Sequence, residues 1–255
     1  MNSIGLHWYQ IKILTLANMK ARYRKTFMGF VWVILNPILM YSVQAIVFKK
    51  FLQINHPDYY LFLLGGLLPW IFINSSIDSC SNSIVTASSI IKSFQVSPLV
   101  LVASAILDNA INFLAGFILV LIPTLILSQK ISSSLLLLPI SLLILLLFTA
   151  SITITLALLQ VFYRDMKYVT NFLMSVLFFL TPIFYPPHYI PADFQWIIDI
   201  NPIYLVIVPF RSCINGGSVE EIIYMLIRGL FLSLISILIL KKLWKKKKNE
   251  LFLKL

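Results

Sequence analysis

The chain has 255 residues, 60% of them apolar and 11% charged, with a formal net charge of +11. A soluble domain is nearer half apolar and a quarter charged, and at this length it would leave about 30% of its unfolded surface in water, so the composition excludes an ordinary soluble fold. The cations sit at the ends of uncharged runs, seven of the twenty in the last fifteen residues, which argues against a nucleic-acid surface and fits positive-inside anchoring on anionic membrane lipid.

A helix crosses the bilayer core with about 20 apolar residues, and uncharged runs of that length recur along the chain. The sequence therefore predicts an all-α integral membrane protein: one transmembrane domain over 1–255, with about six spans. Membrane β-barrels would show short alternating segments instead. Residues 3–25 are expected to form a helix lying in the interface, with Trp8 and Tyr9 at headgroup level. The cluster Lys20, Arg22, Arg24 and Lys25 then stands directly against the first apolar run, too far from Met1 and too long-tailed for a cleavable signal.

The spans are predicted at about 27–48, 59–80, 99–127, 135–162, 168–186 and 221–240. Between the second and third, the Ser- and Asn-rich stretch 74–98 reads as the cytoplasmic end of a span running into a short helix over 82–98. Prolines 37, 69, 123, 139 and 182 fall within spans and are expected to bend them. The segment 187–219 is too apolar for a free loop and too broken by proline for a span, so short re-entrant helices are expected there. A basic tail, 241–255, closes the chain.

Orientation follows from Lys and Arg. With the N-terminus cytoplasmic, the inner segments hold Lys12, the 20–25 cluster, Lys92, Arg164, Lys167 and the seven tail lysines, against Lys49, Lys50, Lys130 and Arg211 outside. Two strongly basic termini on one side require an even number of spans. Cys80 and Cys213 then lie near opposite faces and do not pair.

No Gly-x4-Gly-Lys-[Ser/Thr] phosphate loop, Gly-x-Ser-x-Gly elbow or His-Glu-x-x-His pair occurs. The sequence thus offers no means of hydrolysing ATP and no catalytic or metal constellation. A transferase reading fares no better, since Asp58, Asp193 and Asp199 are scattered. Charge inside the spans is the sharper signal. Asp108 falls about ten residues into the third span, where a carboxylate costs about 2.5–3.5 kcal/mol on insertion scales. Ser104, Asp108, Asn112 and Gly116 share one helix face. Arg228 in the last span is expected at a similar depth, and the two are expected to pair or to line one polar path. The alternative is a protonated Asp108 bonded to Asn109 or Asn112, with Arg228 reaching out to the interface. Trp32, Tyr41, Trp70, Phe179 and Tyr185 are belt, packing or pore aromatics.

"ARYRKTFMGFVWVILNPILMYSVQAIVF" resembles the first-span signature of ABC-2 type permeases that export polysaccharides, through Arg22, Tyr23, Arg24, Thr26, Gly29, Trp32, Pro37, Val47 and Phe48. "LLGGLLPWIF" is similar to that family's second-span core, "FYRDMKYV" to its Arg-Asp turn, "FFLTPIFYP" to the end of its fifth span and "INPIYLVIVPFR" to the segment before its last span. The matches run in order along nearly the whole chain. "KSFQVSPLV" departs from the pattern, with Pro98 four residues after Phe94.

The resemblance implies the transmembrane subunit of an ATP-binding cassette exporter in the bacterial inner membrane, multi-pass, with both termini cytoplasmic. O-antigen permeases are the nearest subgroup, and teichoic-acid and capsule exporters are close. It implies a homodimer with a channel at its interface, moving a lipid-linked polysaccharide outward. Two copies of a separate cytoplasmic ATPase, carrying ATP and Mg, would power it, and this chain would hold no cofactor. Substrate pyrophosphate contacts are implied for Arg22, Arg24 and Lys25, channel lining for the aromatics Trp32, Tyr41, Trp70, Phe179 and Tyr185, and ATPase docking for Trp8, Lys92 and Phe94; the residues themselves add Asp108, Asn112 and Arg228 as channel-lining candidates and Arg164 and Asp165 as ATPase-docking candidates. The competing expectation is an ion- or proton-coupled secondary transporter with Asp108 as carrier.

Overall fold

The computed structural model describes residues 3–23, 31–54, 56, 58–81, 83–87, 91, 96–129 and 132–254. The described residues are mostly helical, with no strand among them. That follows from the solvent: in hydrocarbon every backbone N–H and C=O must be satisfied within the segment, and a helix does so.

Helix α1 (Ser3–Tyr23) packs along α4. Helix α2 (Trp32–Ala45) runs on through a π-helical turn, Ile46–Phe51. Helix α3 covers Tyr59–Ser81. Helix α4 (Pro98–Gly116) starts with proline in its first turn, where the missing N–H costs nothing, and continues through a π segment, Phe117–Leu121, into Ile122–Leu127. Helix α5 (Leu138–Phe162) follows a 3-10 turn, Ser133–Leu137. Helix α6 is Met166–Leu180, α7 Gln195–Ile200, α8 Pro202–Asn215 and α9 Val219–Lys254.

Four of these stretches are long and apolar enough to cross a membrane: Tyr59–Ser81, Pro98–Leu127, Ser133–Phe162 and Val219–Leu251. The segment before α9 turns by 91° between Ala192–Ile200 and Pro202–Asn215, the geometry of a broken span or re-entrant loop. Two elements differ from the sequence expectation. Helix α6 stops at Leu180, six residues before the predicted end, because Thr181 is extended and Pro182 follows. Its 15 residues reach only about 22 Å at 1.5 Å each, short of a bilayer core of about 30 Å. The basic tail, in turn, continues α9 as helix to Lys254. Between α3 and α4, Ser83–Thr86 is helical; most of 88–95 lies outside the described residues.

Helix α3 is the axis of the bundle. Its most apolar window is 78% buried, against 33%, 33% and 28% for the other three spans. It is flanked by α4, α5 and α8, while α9 lies along α5. The α5–α9 seam is held by serines: Ser151 and Ser236 hydroxyls meet at 2.5 Å, and Ser233 donates to the Ile144 carbonyl at 3.4 Å. Small residues of this kind let membrane helices approach closely. Gly65 has the same use on α3, since a Cβ there would meet the Arg211 Cγ of α8 at 3.0 Å.

The break after α6 is pinned from three sides. Asn201 caps α8 by accepting from the Ile203 and Tyr204 amides, and donates to Thr181 Oγ1 at 2.9 Å. Arg211 donates to the Pro182 carbonyl at 2.6 Å. Tyr59 donates to the Phe184 carbonyl at 2.8 Å. The Thr-Pro and Asn-Pro motifs thus meet in space, and the irregular backbone is covered by protein, as membrane depth requires. Gly216 ends α8 in the left-handed region, φ 77°, which glycine adopts without a Cβ clash. Both cysteines are buried and free.

Candidate functional site

A groove of about 590 Å³ opens between α2, α3 and α6. On α3 it is lined by Trp70, Asn74 and Asp78, spaced at i+4 and so forming one stripe. On α6 it meets Asn171, Ser175, Phe178 and Phe179, and Met40 of α2 closes one side. Trp70 is 5% exposed and packs on Phe178 with centroids 5.3 Å apart. Phe178 is in edge contact with Phe179 and Phe184, and Phe184 stacks on Phe48 at 4.8 Å. Phe179 itself is 72% exposed. Flat aromatic faces beside amide and hydroxyl groups can take a ring that is apolar on its face and polar at its rim.

The outer face of α6 is left uncovered by the other described residues. Tyr168, Phe172, Leu173 and Phe179 all project from it, and the helix packs on α5 and α3 alone among its principal contacts. Two of the predicted channel residues, Trp70 and Phe179, are brought together in this groove. Asn74, Asp78, Asn171 and Ser175 join them and were missed by sequence reasoning. The i+4 spacing of Trp70, Asn74 and Asp78 was the signal that could have found them.

The remaining candidates lie elsewhere. Trp32 is exposed on α2, and Tyr41 meets Tyr60 with centroids 6.2 Å apart. Tyr185 donates to the Phe179 carbonyl at 2.9 Å. Asn112 lies one turn beyond Asp108 on α4. Trp8 is exposed on α1, and Arg164 and Asp165 form the exposed turn before α6. Arg24, Lys25, Lys92 and Phe94 lie outside the described residues.

The expected pairing of Asp108 with Arg228 is replaced by two other pairs. Asp108 accepts from Arg22 Nη2 at 2.5 Å, and the same nitrogen reaches Asn109 Oδ1 at 3.1 Å. Asn109 in turn donates to Ser79 Oγ of α3 at 2.8 Å. Arg228 instead binds Asp199 of α7 at 3.2 Å and its carbonyl at 2.9 Å. The physical reason is azimuth. Similar depth brings two residues to one level of the bundle, but the face of α4 bearing Asp108 is covered by α1, whose last turn supplies Arg22. The carboxylate is 3% exposed and the guanidinium 38%, so a buried charge is met by a cation that still touches solvent.

The family profile of ABC-2 type transporters matches residues 9–215. The chain is 28% identical over 244 residues to the O-antigen export system permease protein RfbA of Klebsiella pneumoniae, covering 94% of each chain. It is 32% identical over 183 residues to the RfbA protein of Myxococcus xanthus, covering 71% of this chain and 70% of that one. It is also 25% identical over 215 residues to the polysialic acid transport protein KpsM of Escherichia coli, covering 83% of each.

Proposed function

The chain belongs to the ABC-2 type transporter family, and from that premise we propose that it is the membrane subunit of an ATP-driven polysaccharide exporter. The cargo is a lipid-linked polysaccharide, most closely an O-antigen, carried from the cytoplasmic to the outer side of the bacterial inner membrane. Two copies form the channel, and two copies of a cytoplasmic ABC ATPase supply the force from ATP and Mg. Both termini face the cytoplasm. The relatives named for O-antigen export and polysialic acid transport support this cargo class.

The observation that carries the reading is the aromatic and amide groove on the uncovered side of α6. A groove open along one face is half of a conduit, and a second copy across α6 would complete it. The exposed apolar face of α6 supports burial of that kind. At the inner end, Arg22 with Arg24 and Lys25 contacts the pyrophosphate of the cargo. One nitrogen of Arg22 is held by Asp108 and Asn109, which leaves the other donors of its fork for phosphate oxygens. Trp8, Lys92, Phe94, Arg164 and Asp165 dock the ATPase. The competing proton-carrier reading needs an Asp108 free to load and unload, and its pairing with Arg22 speaks against that.

The test is reconstitution in vesicles, with and without the ATPase, scoring outward movement of labelled polysaccharide. Movement only with the ATPase and ATP is expected; sustained uphill movement by this chain alone would overturn the proposal. Phe172→Cys should also cross-link two copies through α6, because both native thiols are buried.

A further inference from the structure

Arg211 carries a positive charge into the body of α8, where the residue is 5% exposed. Among the described residues no carboxylate forms an ion pair with it. Its guanidinium lies 4.3 Å from the centroid of the Phe62 ring, and one N–H goes to the Pro182 carbonyl. A guanidinium has five N–H donors, and a buried cation without an anion is costly.

Beside it lies a cavity of about 340 Å³, next to the turn that joins α8 to α9. Arg211, Tyr204, Asn215 and the Gly216–Gly217 turn line it, together with His56 and Asp58. An adjoining cavity of equal size shares Tyr204, Val208 and Met225 with it and contains Arg228. Arg228 already has its anion in Asp199; Arg211 has none among the described residues. The cavity therefore offers a fork of donors for oxygen anions, neutral amide and hydroxyl groups beside it, and an aromatic wall.

We propose that this cavity binds an oxyanion of phosphate-ester size, anchored by Arg211 and flanked by the Asn215 amide and the Tyr204 hydroxyl. The phosphate could arrive on a saccharide or on a lipid headgroup. The inference does not depend on the export reading, since it concerns binding and not transport.

The experiment uses the full chain in phosphatidylcholine nanodiscs. Calorimetry with glucose 1-phosphate, against glucose, tests the saccharide source. Native mass spectrometry with phosphatidylglycerol, against phosphatidylcholine, tests the lipid source. Saturable binding of either phosphate probe, with the neutral counterpart much weaker, is expected. Arg211→Gln should weaken it about tenfold or more. Because that change also removes the bond to Pro182, Asn215→Tyr serves as the second variant: it fills the cavity without touching that bond, and should weaken binding similarly at an unchanged melting temperature. Absence of saturable binding of both probes by the unaltered chain, or binding that Asn215→Tyr leaves unchanged, overturns the proposal.

Discussion

Asp108 of α4 and Arg22 at the end of α1 form an ion pair of 2.5 Å that ties the N-terminal helix to a membrane span. Its two members are unequal: the carboxylate is enclosed and the guanidinium is partly in solvent. Removing Arg22 strands a buried acceptor, whereas removing the charge of Asp108 frees a cation that can turn toward water. Arg22→Gln should therefore destabilise the protein by about 1–3 kcal/mol, the lower end reflecting the exposure of Arg22. Asp108→Asn should cost less. Melting curves in detergent check this, and an equal or larger loss for Asp108→Asn would contradict the burial asymmetry.

Arg228 and Asp199 are both partly exposed, and pairs of that kind contribute about 0–1 kcal/mol. Arg228→Leu should shift stability by no more than about 1 kcal/mol, and the shift should shrink in 1 M salt. A large loss would mean that the charge is far more enclosed than its 32% side-chain exposure indicates.

The aromatics of the groove should divide by burial. Trp70→Ala removes a packed side chain and should cost about 3 kcal/mol. Phe179→Ala removes an exposed one and should leave stability within about 0.5 kcal/mol. Transport should nevertheless fall in both, because both line the same groove. Normal transport in a folded Phe179→Ala protein would remove that residue from the conduit.

Cys80 and Cys213 both have no exposed surface and belong to separate core clusters. Neither should react with a maleimide in the native protein, and both should react after denaturation. Labelling of either under native conditions, or a mass consistent with an internal disulfide, would be evidence against this packing.

Gly65 and Arg211 make a related point about α3 and α8. The double glycine of the second span was legible as a motif, but the purpose of Gly65 became visible only with the Arg211 Cγ lying 3.0 Å from where its Cβ would stand. The Thr-Pro and Asn-Pro motifs were likewise readable separately. That Asn201 bonds Thr181, and so joins them, needed the fold.

By itself the sequence determined the class of protein, the approximate course of its helices, the proline-broken helical segment before the last span and the absence of an ATP-hydrolysing motif. Those properties depend on the local balance between apolar length and the cost of burying charge or free backbone, which each segment carries alone. Only the tertiary structure decided which charges meet, that α6 ends early at Thr181, and that Asn74, Asp78, Asn171 and Ser175 share a groove with Trp70 and Phe179. Depth in the membrane is written along the chain, whereas the direction a helix face points is set by the neighbours packed against it.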